Sequence, residues 1–318
     1  MNGAARAFKN RFMDISEGAS LTAEPRRRSF DLPGLGPGAR LAAVEFGDPN
    51  GPLDLIFLHA NGFNALTYRQ VLAPLASRLH MLAVDQQGHG RSPRRIAIDG
   101  RKSWSDMAAD VLALLDLLDG PPLVLAGHSM GGAMSVFAAA ARPERVRALA
   151  LFDPVLPTRE QVAGFLALQG RPAPGNVLAE GAERRRALFP SRQAVLESYR
   201  GRGAFKAWPE AALVDYITDG FVDRDDGQVE LACSPAWEAS NFRAHGHDPW
   251  DAIGRLQCST TVLRAAIGST CGLVSEDQLP ASVPHRHVET IPDSTHFLPI
   301  ERPELTEATL LAVCKVGF

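Results

Sequence analysis

Strand-length apolar runs alternate with helix-length segments between residues 53 and 154. The runs are LDLIFLHA (53–60), HMLAVDQ (80–86), LVLAGHS (123–129) and VRALALFDP (146–154). Runs that stay apolar through their centres are typical of strands buried on both faces. The segments between them carry apolar residues at helical spacing. This alternation predicts an α/β fold in which helices cover both faces of a mostly parallel sheet.

The rest of the chain divides around this alternation. Further strands and a closing helix are predicted at 29–33, 40–48, 259–266, 285–293 and 301–315, which brings the sheet to eight strands. Between them lies a segment of helical or loop-like character that holds many of the aromatic residues. We therefore expect a flexible N-terminal arm at 1–24, a core formed by 25–154 and 246–318, and an inserted helical cap at 155–245.

Charge and composition exclude several classes of function. The 318 residues include 33 Lys and Arg and 36 Asp and Glu, a net charge of 33 − 36 = −3, so no basic field is available for nucleic acid. No window holds 18 consecutive apolar residues, so we expect no membrane span, and the N-terminal segment lacks the apolar stretch of a signal peptide. The four cysteines form no CxxC pair. We expect a cytoplasmic protein with no metal site and no cofactor.

The segment Gly127-His128-Ser129-Met130-Gly131 fits the pattern G-x-S-x-G. The predicted strand before it and the small-residue helix after it are the setting in which this pattern forms a sharp turn that exposes a nucleophilic serine. The two glycines remove Cβ atoms that would clash where strand and helix approach closely. The first amides of the helix favour negative charge at the same place. Ser129 is therefore the candidate nucleophile.

A serine hydroxyl needs a base, and His296 is the best placed of the nine histidines. It follows the last predicted strand and precedes the last helix, at the sheet edge to which the turn points. His128 is next to Ser129 in sequence, but its side chain leaves the turn in another direction and is expected to pack. His59 follows the strand at 53–58 and is expected to shape the loop after it, and His89 lies in a glycine-rich loop.

The base needs a carboxylate that fixes its tautomer, and two positions compete for this role. The loop after 259–266 has Gly268 and Ser269 where an acid would be expected. Asp153, at the end of strand 146–152, is therefore selected by elimination, although a strand-end Asp can also serve only as a cap. Asp85 ends an earlier strand and is expected to anchor the loop beside it.

The oxyanion of a tetrahedral intermediate needs hydrogen-bond donors. The amide of Met130, next to the nucleophile, is one candidate, and the loop HANGF (59–63) should supply the second, from the amide of Asn61. The Asn61 side chain could also face the site. The alternative is that Asn61 and Gly62 only permit a left-handed turn.

These residues resemble the α/β-hydrolase fold superfamily, in its lidded branch of esterase-like and lipase-like serine hydrolases. The resemblance covers about residues 40 to 318 and rests on HANGF, DQQGHGRS, GHSMGG, FDP and STHFLPIERPE. The order Ser129, Asp153, His296 agrees with the family order of nucleophile, acid and base. Most relatives carry the acid after the next-to-last strand; some use the preceding strand, as this sequence does. A serine nucleophile argues against the epoxide hydrolase and haloalkane dehalogenase branches, which attack with a carboxylate.

The resulting hypothesis is a serine hydrolase that cleaves a small-molecule carboxylic ester with an apolar acyl or alkyl group, through an acyl-enzyme. The alternatives are the same triad acting on a thioester, a lactone or the C–C bond of a diketone. A non-catalytic binding module of the same fold is a third possibility. The sequence does not define the oligomeric state.

Overall fold

The computed structural model describes residues 26–171 and 175–315, and the arm expected at 1–24 lies outside them. An eight-stranded sheet has the order β1-β2-β4-β3-β5-β6-β10-β11, and a small sheet has the order β7-β9-β8. The strands are β1 (Arg26–Asp31), β2 (Arg40–Phe46), β3 (Leu55–Leu58), β4 (Met81–Asp85), β5 (Leu123–His128), β6 (Val146–Phe152), β7 (Leu188–Phe189), β8 (Phe221–Asp223), β9 (Val229–Leu231), β10 (Ser259–Ile267) and β11 (Arg286–Thr295).

The helices of the described chain fall before, within and after the segment between β6 and β10. They are α1 (Arg69–Leu72), α2 (Ser105–Leu117), α3 (Met130–Ala141), α4 (Arg159–Ala167), α5 (Val177–Glu183), α6 (Arg192–Tyr199), α7 (Glu210–Gly220), α8 (Pro235–Arg243), α9 (Pro249–Gly254), α10 (Leu298–Glu301) and α11 (Pro303–Lys315). None of these helices has both the length and the apolar character that a membrane span requires.

The sheet is parallel from β4 to β11 and antiparallel where β1 and β2 join it. Alternate residues of a strand point to opposite faces, so β3 sends Ile56 and Leu58 into one apolar cluster and Leu55 and Phe57 into another. Helices α2 and α3 complete the first cluster, and α1 and α11 complete the second. This confirms the predicted α/β fold with helices on both faces of a mostly parallel sheet.

Within the segment between β6 and β10, the residues 155–171 and 175–245 are called the cap below. It holds α4 to α8, and its aromatic residues pack together in a third cluster with Trp208, Tyr216 and Phe221. The sequence predicted helices and loops here, but the segment also contains the sheet β7-β9-β8. These strands are only two or three residues long, too short to give a period-two pattern.

The stretch after β3 also differs from the prediction. The apolar spacing from 65 to 79 predicted one helix, but the chain forms a 3₁₀ turn at Ala65–Tyr68, the short helix α1, and a second 3₁₀ turn at Ala73–Leu75. Pro74 lies inside this segment, and proline removes a backbone donor that a continuous helix would use. The apolar face still packs against the sheet.

Candidate active site

The turn between β5 and α3 holds Ser129 at φ +56°, in a backbone region that residues other than glycine rarely adopt. A Cβ atom on Gly127 would lie 2.4 Å from the backbone of Gly131, and one on Gly131 would lie 2.1 Å from the carbonyl oxygen of Leu58. Glycine is therefore required at both positions for strand and helix to approach this closely. The steric reason predicted for G-x-S-x-G is confirmed.

His296 lies directly after β11, and its ring bridges the two other candidate residues. Its Nε2 is 2.9 Å from Oγ of Ser129, and its Nδ1 is 2.6 Å from Oδ2 of Asp153. In the sequence His296 lies 143 residues from Asp153 and 167 residues from Ser129. The fold thus brings Ser129, His296 and Asp153 into a continuous hydrogen-bonded line.

Asp153 follows β6 with φ +40°, and its carboxylate is fully buried. Oδ1 accepts a hydrogen bond from the backbone amide of Ala265, and Oδ2 accepts one from the amide of Thr270. The hydroxyl of Ser269 donates to Oδ1 at 2.5 Å. Burial acts to raise the pKa of Asp153, but the hydrogen bonds and charge of His296, with the donors from Ser269 and Ala265, lower the pKa overall. The carboxylate therefore stays ionised beside the imidazole.

The loop after β10 has no acid at 268–275, but it provides donors to the candidate acid that follows β6. Ser269 stands where most relatives carry the acid, and the sequence alone assigned it no function. The signal in the sequence was the position of Ser269, because a side chain at this position lies next to the Asp153 carboxylate.

The backbone N–H groups of Met130 and Asn61 are the two candidate oxyanion donors. Both residues line the same cavity as Ser129, and within the described part of the chain neither N–H has a hydrogen-bond acceptor. Free amides at the start of a helix and in the adjacent loop can bind a developing negative charge. This geometry is compatible with the predicted roles of the two amides.

The side chain of Asn61 is directed to the cap, which differs from the suggestion that it faces the site. Its Nδ2 donates to the carbonyl of Glu238 at 3.0 Å, and its Oδ1 accepts from Nδ2 of Asn241 at 2.8 Å. The left-handed position in this loop is Gly62, at φ +75°. A Cβ atom on Gly62 would lie 2.5 Å from the Glu238 carboxylate, so the glycine also permits close contact with the cap.

Buried polar residues around the site hold the loops, as the sequence predicted for His59 and Asp85. His59 donates from Nδ1 to the carbonyl of Ala60 and accepts from the amide of Gln86. Burial lowers the pKa of His59 to about 4.

Asp85 accepts hydrogen bonds from the amides of Ala65 and Arg91, and burial raises its pKa to about 7. His89 bonds to the carbonyl of Gln87.

A cavity of about 760 Å³ opens above Ser129 between the sheet edge and the cap. Its wall includes Phe63, Val155, Leu178, Phe189, Phe205 and Phe297. The polar part of the wall includes an ion pair between Arg185 and Glu238, with Arg185 also donating to the hydroxyl of Tyr216 at 2.9 Å. Charge is balanced within this pair, and Arg186 adds a further cationic side chain to a wall that is otherwise mostly apolar.

The fold is that of an α/β hydrolase, and comparisons with known proteins agree. The model of the alpha/beta hydrolase family matches residues 55–309, and this chain belongs to that family. It is 27% identical over 262 residues to a 2-(acetamidomethylene)succinate hydrolase of Mesorhizobium japonicum, a match that covers 81% of this chain and 86% of the relative. It is also 35% identical over 142 residues to Lipase LipV of Mycobacterium tuberculosis, which covers 42% of this chain and 51% of that protein.

A solved structure of an E-2-(acetamidomethylene)succinate hydrolase superposes with a TM-score of 0.73 at 23% identity, covering 91% of this chain and 99% of the other. This likeness confirms the fold. The names of the sequence relatives support a hydrolytic role for the family to which this chain belongs.

Proposed function

We propose that this protein is a serine hydrolase that cleaves a carboxylic ester through an acyl-enzyme, with Ser129 as nucleophile, His296 as general base and Asp153 as the acid. The observation that carries the proposal is the line from Ser129 Oγ to His296 Nε2 at 2.9 Å and from His296 Nδ1 to Asp153 at 2.6 Å. Nucleophile, base and orienting carboxylate in hydrogen-bond contact form the arrangement that activates a serine hydroxyl.

In the first half-reaction, Oγ of Ser129 forms a bond to the ester carbonyl carbon while its proton passes to Nε2 of His296. The carbonyl electrons move to the oxygen, which the amides of Met130 and Asn61 stabilise. Collapse of this intermediate breaks the bond to the alcohol oxygen, and that oxygen takes the proton from His296. Asp153 stabilises the imidazolium throughout without accepting its proton.

In the second half-reaction, water loses a proton to His296 and its oxygen attacks the acyl-enzyme. Collapse returns the proton to Ser129 Oγ and releases the carboxylic acid. The scheme uses only groups of this chain and water, and it requires no cofactor. The apolar wall of the cavity supports a substrate with an apolar acyl or alkyl group, and the name of the lipase relative supports an ester bond. The cap, as a unit separate from the core, would enclose that group.

The test combines a covalent probe with a substrate panel. Wild-type protein should be labelled by a fluorophosphonate and should hydrolyse p-nitrophenyl esters, whereas a folded Ser129→Ala variant should do neither. The panel also includes thioesters, lactones and a diketone, so preferred turnover of one of these would replace the ester assignment while keeping the triad. An unlabelled, folded wild-type protein with no turnover of any panel member would refute the proposal.

A further inference from the structure

A buried hydrogen-bond path connects the loop at 59–63, called the oxyanion loop below, to the main chain of His296. The amide of Ala60 donates to the hydroxyl oxygen of Tyr68 at 3.2 Å, and that hydroxyl lies 2.7 Å from Nδ1 of His128. On the other side of the ring, Nε2 of His128 lies 2.6 Å from the carbonyl oxygen of His296. Tyr68 and His128 have no solvent exposure. We call this path the Tyr68–His128 bridge.

Each hydrogen bond in the bridge has one possible direction. A carbonyl oxygen only accepts, so Nε2 of His128 must carry a proton. Burial, with the nearby ring of His296, lowers the pKa of His128 to about 3, so the ring is neutral and Nδ1 has no proton. Nδ1 therefore accepts from the Tyr68 hydroxyl. Burial raises the pKa of Tyr68, which keeps that proton in place.

We infer that His128 and Tyr68 are positioning residues for the base: the bridge fixes the main chain of His296 so that its ring reaches Ser129 and Asp153 together. Among the described residues, His128 is the sole donor to the carbonyl of His296. The same bridge begins at Ala60, next to the amide of Asn61. It therefore sets the base and one candidate oxyanion donor against the strand that carries the nucleophile. This inference rests on the proposed function.

The neutral state of His128 also matters for the charge that develops in the reaction. The rings of His128 and His296 have centroids 5.0 Å apart. A second cation at this distance would oppose formation of the His296 imidazolium. Here a histidine ring supplies an N–H donor to the backbone of His296 without adding charge, because complete burial keeps the ring neutral.

The test compares His128→Phe with His128→Gln, because a glutamine amide can present a donor near the former Nε2 while phenylalanine cannot. For His128→Phe we expect kcat on a p-nitrophenyl ester to fall about 100-fold, as for a small misplacement of catalytic groups, with KM nearly unchanged. His128→Gln should recover most of that loss. Tyr68→Phe, which removes one hydroxyl, should lower kcat by a smaller factor.

The control is His80→Phe, which replaces a partly buried histidine that bonds to Glu45 and to the carbonyl of Gly51 and does not line the cavity. It should retain wild-type kcat. Thermal melts identify variants that fail to fold, and Tyr68→Phe decides the question if His128→Phe is one of them. Wild-type kcat in folded His128→Phe or Tyr68→Phe, or a His128→Gln variant as slow as His128→Phe, would overturn the inference. Absence of labelling and turnover in the wild type would instead refute the proposed function.

Discussion

The hydroxyl of Ser269 lies 2.5 Å from Oδ1 of Asp153, so the acid comes from the end of β6 while one of its donors comes from the loop after β10. The amide of Thr270, in the same loop, binds the other carboxylate oxygen at 3.1 Å. The carboxylate can therefore sit one strand away from its more frequent position in the family and still be held from the loop that otherwise carries it. A buried carboxylate left without these donors would lose much of its preference for the ionised state.

Replacing Ser269 by Ala tests this support. The variant lacks one hydrogen bond to a charged group, so the pKa of Asp153 should rise, and the loss of about 1 kcal/mol should lower kcat/KM about 3- to 10-fold. Ser269→Thr retains a hydroxyl and should remain near wild type. Asp153→Asn should cost far more, about 10⁴-fold in kcat, because the amide favours the wrong imidazole tautomer. A wild-type kcat/KM in Ser269→Ala would show that Ser269 does not support Asp153.

Substitution of Asn61 distinguishes a role of its backbone amide from a role of its side chain as donor to the oxyanion. If the donor to the oxyanion is the main-chain amide, Asn61→Ala retains it and kcat should fall less than about 10-fold, through loss of the contacts to Glu238 and Asn241. Removal of a side-chain oxyanion donor costs about 10²- to 10³-fold in kcat. Steady-state kinetics on one ester therefore assign the donor, and a loss in the larger range would contradict the role proposed for the amide.

Gly131 should tolerate no side chain. A Cβ atom there would lie 2.1 Å from the carbonyl oxygen of Leu58, so strand β3 and helix α3 would have to separate. We expect Gly131→Ala to lower the free energy of unfolding by about 3 kcal/mol or more, measured by urea titration. The control is Gly164→Ala in the middle of α4, where no atom lies within 4 Å of the new Cβ. That variant should gain about 0.5–1 kcal/mol, and equal behaviour of the two would contradict this account.

Stability should decrease in acid because several histidines are buried in the neutral state. Burial lowers the pKa of His247 to about 3, whereas the pKa of an unfolded histidine is about 6.5. Between these values the unfolded state binds a proton that the folded state does not, so stability rises with pH across this window. His247→Phe should therefore reduce the slope of unfolding free energy against pH between about 4 and 6, by up to about 1.4 kcal/mol per pH unit.

Glu307 should contribute to the slope of unfolding free energy against pH with the opposite sign. Burial, with the charge of Glu304, raises the pKa of Glu307 to about 7, so the folded state keeps a proton that the unfolded state releases above about pH 4. Its contribution therefore makes stability fall as pH rises from about 4 to 7. Glu307→Gln should remove that contribution and make the overall slope with pH steeper. A change of the same sign in both variants would contradict the linkage argument.

Local patterns were sufficient to predict the sheet, the strand–turn–helix at Ser129 and the placement of His296. These features depend on apolar runs and on glycine at two neighbouring positions, which are visible within a few residues. The expectation that His128 packs inside the fold was also met, since it is fully buried. The catalytic roles of Ser129, His296 and Asp153 remain predictions, although the fold places them in contact.

The contacts that the sequence did not predict join residues far apart in the chain. The bond from Asn241 to Asn61 spans 180 residues, and that from His128 to the His296 carbonyl spans 168. Periodicity describes which face of an element is buried, but it does not say which polar groups from distant loops meet there. The small sheet of the cap was missed for a related reason, since its short strands are defined by their pairing rather than by local pattern.

The attachment of α8 to the oxyanion loop has a consequence for the order of events in a turnover. Lifting this helix would break the hydrogen bonds of Asn61 to Glu238 and Asn241 and separate Glu238 from Gly62, so the loop would lose contacts that hold it in place. Under the proposed mechanism, acyl transfer would therefore be restricted to the form in which α8 contacts this loop. Substrate would then enter and the carboxylic acid would leave by motions that keep α8 in place, because displacement of this helix would interrupt the proposed reaction until it returned.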